Sequence, residues 1–169
     1  MKKLLFGTLT LLFCTSFVFG QSKKEECAQL IEANKQLSIN IKNYTDRWDK
    51  IFNKGDIDQI NNSFFDDSVV WRRQKDEKIG GTGIEAFKKH FNYYLLTFSD
   101  IKFTIIEVFG QGDNLVKHWN FKGIHRKTGN TMDLSGVTLV KMKNGKVIEE
   151  QDFDDNYWYK QQLGEIPIK

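Results

Sequence analysis

An acidic run near the C-terminal end, Asp152-Phe153-Asp154-Asp155, offers three carboxylates in four residues, the group best suited to acid–base work without a cofactor. Asp155 is the candidate general acid/base. A carboxylate at the rim or floor of an apolar pocket loses solvation, which raises its pKa and suits proton transfer near neutral pH. Asp152 and Asp154 alternate away from it along an extended strand and are expected to face solvent. A solvated acidic strand end is the competing account of all three. His125 shares a strand face with Trp119, Phe121 and Gly123, and could orient a substrate or serve as a hydrogen-bonded structural residue. His118, with Asn120 and Lys122, falls on the opposite, solvated face, and His90 marks the edge of an aromatic helix. Trp71, Arg73, Trp119, Phe121, Gln151 and Trp158 complete a ligand-binding set: rings to stack on a flat molecule, a guanidinium to clamp it, an amide to orient it. Core packing is the competing account of Trp71 and Trp119. Arg72 and Arg73 alternate, so at most one turns inward. No His-x-x-x-His or Cys-x-x-Cys spacing occurs, and no Gly-x-Gly-x-x-Gly follows a strand, so neither a metal nor a cofactor is expected.

These residues must be positioned by elements that the pattern outlines. Leu30, Leu37, Tyr44 and Ile51 recur every seven residues, with Ile41 and Trp48 beside them, which predicts a long amphipathic helix over 28–52 ended by Gly55. Asp56, followed three residues later by Gln59, predicts the N-cap of a short helix, and Ser68 to Arg73 a brief strand. Thr82-Gly83-Ile84-Glu85 reads as a capping box that opens a helix carrying Phe87, Phe91, Leu95 and Phe98 on one face, which accounts for the turn at Gly80-Gly81. From Ile101 the period becomes two, and residues 101–109, 115–126, 131–142 and 147–154 read as successive strands. Asn144-Gly145 is the strongest turn signal, because a type I′ hairpin requires positive φ at both central residues. It pairs Met142 with Val147, and by extension Val140 with Glu149 and Thr138 with Gln151. Helices first and strands second predict an α+β fold, a curved antiparallel sheet packed against N-terminal helices with a central pocket.

The first twenty residues have the order of a signal peptide: Lys2-Lys3, an apolar stretch from Leu4 to Phe19, then Gly20. Residues 21–43 are a polar lead and helical extension, 44–164 the domain, and 165–169 a tail. Export to the periplasm or beyond is expected, with no membrane span after cleavage. Without Lys2 and Lys3 the chain has 25 − 2 = 23 basic and 22 acidic residues, which offers no basic footprint for nucleic acid. Cys27 is then the remaining cysteine, so no intrachain disulfide is expected.

Several stretches in this order resemble the SnoaL-like polyketide-cyclase branch of the nuclear-transport-factor-two-like superfamily. They are Trp48-Asp49-Lys50-Ile51-Phe52-Asn53-Lys54-Gly55-Asp56, Phe65 to Trp71, Gly110 to Val116, Gly123-Ile124-His125, and the ending Asn144-Gly145-Lys146-Val147-Ile148-Glu149, Asp155 and Gln162-Leu163-Gly164. The resemblance implies that superfamily's cone, a homodimer formed through the outer face of the sheet, and an acid/base role for Asp155 in ring closure. Gln151 stands where the family usually has Trp, and the segment after His125 is short, so the cyclase substrate does not carry over. The expected function is binding of a small hydrophobic or aromatic molecule. The alternatives are an isomerase, cyclase or hydratase-like enzyme using Asp155 with His125 or Gln151, and a dimeric interaction module without a ligand.

Overall fold

A computed structural model describes residues 9–74 and 77–167. It divides after Ser38 into two compact units. The first is helical from Leu9 onward, so the polar lead that opens at residue 21 is itself helix. Lys2 and Lys3 lie outside the described residues. Among the described residues no helix is long and apolar enough to cross a membrane.

The second unit begins within helix α1 (Leu9–Asn53), continues through a single 3-10 turn (Ile57–Gln59), and then runs β1 (Phe65–Arg73), β2 (Glu77–Thr82), α2 (Ile84–Thr97), β3 (Phe98–Gln111), β4 (Asn114–His125), β5 (Thr131–Lys143), β6 (Lys146–Asp154) and α3 (Asn156–Leu163). The six strands form one sheet in the order β2-β1-β6-β5-β4-β3. The four-strand meander is as expected, and the α+β cone with it. The sheet is mixed, because β1 joins β6 in parallel while every other pairing is antiparallel. Strand β2 covers the Gly80-Gly81 stretch read as a turn, since an edge strand needs only β1 beside it to form.

The heptad stripe of α1 is used unevenly. Tyr44, Trp48, Ile51 and Phe52 are buried, whereas Leu30 is 59% exposed. Burial follows contact with the sheet and α2: Trp48 meets Phe91 edge-on at 4.6 Å between centroids, and Phe52 meets Phe103 at 4.7 Å. Offset and edge contacts of this kind add to the area term that dominates an aromatic core. Asp56 makes no backbone cap. Its carboxylate accepts from Gln59 Nε2 at 2.7 Å, and the helix expected there shrinks to the single turn. The capping box at Thr82 is likewise not formed, because Gly83 takes the N-cap position of α2 with its N–H committed to Val69 O at 2.7 Å.

One irregularity positions the site. Asn144 and Gly145 have φ of 52° and 75°, the type I′ geometry, and Met142 pairs with Val147 as expected. The next pair is Lys141 with Glu149, so Ile148 is an extra residue in β6 and forms a β-bulge. Beyond it Val140 faces Glu150 and Thr138 faces Asp152, one residue out of step with the register extrapolated from the turn. A one-residue slip reverses every later side chain. Glu150, Asp152 and Asp154 therefore enter the concave side of the sheet, while Gln151 and Phe153 leave it.

Candidate functional site

The concave face is built as cross-strand rows. Leu115, Val140 and Glu150 form one row across β4, β5 and β6. Lys117, Thr138 and Asp152 form the next, and Trp119, Gly136 and Asp154 the third. Gly136 leaves room for a ring: a Cβ there would lie 2.4 Å from Trp119 Cζ2 and 2.9 Å from Phe153 O. Trp119 can thus lie flat across β5 and donate its Nε1–H to Thr138 Oγ1 at 2.9 Å.

Above the second and third rows lies a partly open cavity. It is walled by Trp71 and Arg73 of β1, Phe91 and Tyr94 of α2, Phe52, Trp119, Phe121 and Tyr159, with Lys117, Asp152 and Asp154 on the sheet side. It contains about 530 Å³ of space, mouth included. That space, within the usual range of small-molecule sites, holds several waters or one small ring-bearing molecule.

Asp152 is held on both oxygens. Oδ2 accepts from Trp71 Nε1 at 2.7 Å, and Oδ1 accepts from the Thr138 hydroxyl. Burial raises its pKa above the usual carboxylate range, against the opposing pull of Lys117 and the two hydrogen bonds. Trp71 is itself fixed by stacking on His90, 3.7 Å between centroids. Burial, with a smaller contribution from Arg73, pushes His90 down to about 4, so that imidazole is neutral near pH 7. Asp154 pairs with Arg73 Nη2 at 3.0 Å, and the guanidinium lies 5.7 Å from the centre of the Tyr159 ring. In the first row Glu150 is fully buried. Its Oε1 accepts from Tyr44 Oη at 2.7 Å and Trp48 Nε1 at 3.1 Å, and its Oε2 lies 3.8 Å from Lys117 Nζ. Desolvation raises Glu150 to about 7, against the lowering effect of Lys117. The Lys117 side chain is only 4% exposed, and its ammonium sits 4.3 Å from the Trp48 ring centre.

Of the residues singled out from sequence, Trp71, Arg73, Trp119 and Phe121 come together at this cavity, and Arg73 is the inward one of its pair while Arg72 meets Glu149. The other four do not. Asp155 is exposed and caps α3, accepting the Trp158 backbone N–H at 2.9 Å. His125 is on the expected face but past the cavity's end, where Nδ1 meets Thr128 Oγ1 at 2.8 Å. Gln151 lies on the outer side, donating to Arg73 O at 3.3 Å, and Trp158 is 44% exposed with its indole N–H on Asp133 O. Asp152 and Asp154, expected in solvent, take the inward places because of the Ile148 bulge. Lys117 and Glu150 were also passed over, although Leu115-Lys117-Trp119-Phe121 is an alternation that places a lysine on an apolar face. Among the described residues no group of three or more His, Cys, Asp or Glu is arranged to hold a metal ion.

A family model described as SnoaL-like polyketide cyclase matches residues 42–163. Solved structures share the fold at low identity. TsrD from Streptomyces laurentii superposes with a TM-score of 0.66 at 16% identity, over 76% of this chain and 97% of its own. TerC co-crystallized with polyporic acid gives 0.61 at 19%, over 74% and 98%. A protein of ketosteroid isomerase-like fold from Catenulispora acidiphila DSM 44928, in complex with trimethylamine, gives 0.61 at 14%, over 73% and 92%. A comparison with curated proteins yields no match.

Proposed function

Because the chain belongs to the SnoaL-like polyketide cyclase family, we propose that its cavity binds a small ring-bearing molecule and that Asp152 moves a proton on it, in an isomerase- or cyclase-type reaction without a cofactor. One observation carries this reading: a carboxylate borders an aromatic cavity, held on both oxygens and kept basic by desolvation. Simple binding of an apolar molecule gives no reason to bury a carboxylate there, since an unneeded buried charge destabilises the fold. Asp152 replaces Asp155 in the role the sequence suggested. The fold-level likeness to TerC, crystallized with polyporic acid, agrees with a small-molecule ligand. The test is α-proton exchange on 2-tetralone, a small bicyclic ketone, followed by NMR in D2O. Exchange faster than the buffer rate is expected. Exchange at the buffer rate, with the ketone bound, would leave a binding protein and remove the enzyme.

The proposal extends to export and self-association. The charge and apolar order of residues 1–20 supports cleavage before Gln21, which N-terminal sequencing of the protein recovered from the cell envelope reads directly. On the convex face Phe109, Val116 and Leu139 stand in one row, with Val137 and Phe153 in the adjoining one. Phe109 is 55% exposed and Leu139 42%. Two adjoining apolar rows, which together reach from β3 to β6, fit an isologous contact between two copies of the chain. Sedimentation velocity should show a two-chain species that Leu139→Lys converts to single chains; a wild-type monomer at tens of micromolar, about the level where a weak contact still forms, discards the dimer.

A further inference from the structure

We propose that the Asp154–Arg73 end of the cavity is a recognition subsite for a hydroxyl group that donates a hydrogen bond, so that the ring-bearing ligand is phenol-like. This rests on the reading of the cavity as a small-molecule site and names the chemistry of what enters it. The two acids bordering the cavity differ in one respect. Asp152 has a partner on each oxygen. Asp154, whose side chain is 5% exposed, has Arg73 on Oδ2, while its Oδ1 is buried and has no hydrogen-bond partner among the described residues. Buried carboxylate oxygens are rarely left so, because the lost hydration is not replaced. A ligand group that satisfies Oδ1 must donate, which excludes ethers, carbonyls and bare hydrocarbon at that end.

The donor's charge follows from its neighbours. Arg73 already neutralises Asp154, and Lys117 also borders the cavity. An ammonium entering beside that guanidinium would add like-charge repulsion in a poorly hydrated space. A neutral hydroxyl adds none. The rest of the molecule is set by the walls: Trp71, Phe91, Tyr94 and Tyr159 present rings and therefore favour a flat, apolar body. The limited volume favours a small ring-bearing body over an extended one. A hydroxyl on a flat ring is the class that meets all three demands.

The test uses the full-length chain labelled with 15N, titrated with phenol, anisole, benzene and benzylammonium while the indole N–H signals of Trp71 and Trp119 are followed. Phenol is expected to bind at least about tenfold tighter than anisole or benzene, the range of a hydrogen bond to a charged acceptor. In Asp154→Asn the ratio of phenol to benzene affinity should fall several-fold. Equal binding of phenol and anisole to wild type, or an unchanged preference in Asp154→Asn, overturns the subsite and leaves the cavity reading standing. Tighter binding of benzylammonium than of phenol overturns the hydroxyl class. If none of the four ligands shifts either indole signal, the cavity reading fails together with the subsite. The comparison of ligands on wild type decides the matter even if the variant does not fold.

Discussion

Asp152→Asn should abolish α-proton exchange on 2-tetralone, lowering the catalysed rate by about 10²–10⁴-fold, the usual contribution of a positioned general base. The substitution is close to isosteric and the surroundings can accept it. Asn Oδ1 can take the Trp71 N–H, and Asn Nδ2 can donate to Thr138 Oγ1, whose hydroxyl has two lone pairs and already accepts from Trp119. Folding and ring binding should therefore persist, so the lost rate is attributable to the base. The pH profile supplies a second check. A general base works when ionised, and burial raises the pKa of Asp152. Exchange should rise with pH and level off above the usual carboxylate range. Wild-type rates in Asp152→Asn, or a plateau already complete by pH 4, would remove Asp152 from the reaction. A matching Asp155→Asn change should leave the rate unaltered and loosen only the start of α3, where the helix loses a charged cap.

Lys117→Met should cost roughly 1–2 kcal/mol of stability at pH 8, because it breaks a buried pair and obliges Glu150 to take up a proton in the folded chain. Methionine fills much of the same volume, so a cavity is not the cause. The sign with pH follows from Glu150, raised to about 7 in the folded chain from an ordinary carboxylate value when unfolded. A group with a raised folded pKa contributes stability that is fully present below the unfolded pKa and is lost as pH rises through the folded one. Wild type should therefore lose stability between about pH 4.5 and 7. Without Lys117 the folded pKa of Glu150 climbs further, because its lowering influence is gone. The penalty should then be close to zero at pH 5 and about 1.4 kcal/mol at pH 8, the most that one pH unit above a folded pKa of about 7 allows. Adding Glu150→Gln to Lys117→Met should recover much of the loss, since a neutral amide can still meet Tyr44 and Trp48. Urea unfolding of the three proteins at both pH values measures this. A penalty equal at pH 5 and pH 8 would mean that packing, not the Glu150 charge, sets the value of the lysine.

The two residues expose a conflict within the site. Deprotonation of Asp152 supports the proposed reaction, whereas ionisation of the buried acids weakens the fold. Lys117 and Arg73 offset that cost without closing the cavity, because Lys117 packs against the Trp48 ring and Arg73 over that of Tyr159.

The sequence by itself determined the long helix, the aromatic helix, the four-strand meander and half of the pocket wall. Alternation placed Trp119 and Phe121 inward, the parity of Arg72 and Arg73 allowed only one of them inside, and Asn144-Gly145 defined its hairpin, because each depends on local geometry that repeats from residue to residue. The acid at the site was a different matter. Counting from that hairpin sends Gln151 and Asp155 inward, and an inserted residue at Ile148 reverses the count so that Glu150, Asp152 and Asp154 enter instead. Nothing in Val147-Ile148-Glu149 announces the bulge; it arises where β6 must pair with β5 on one side and, in parallel, with β1 on the other. Period-two reasoning carries a register only as far as the ladder stays regular. Which carboxylate faces the cavity was therefore decided by the tertiary structure.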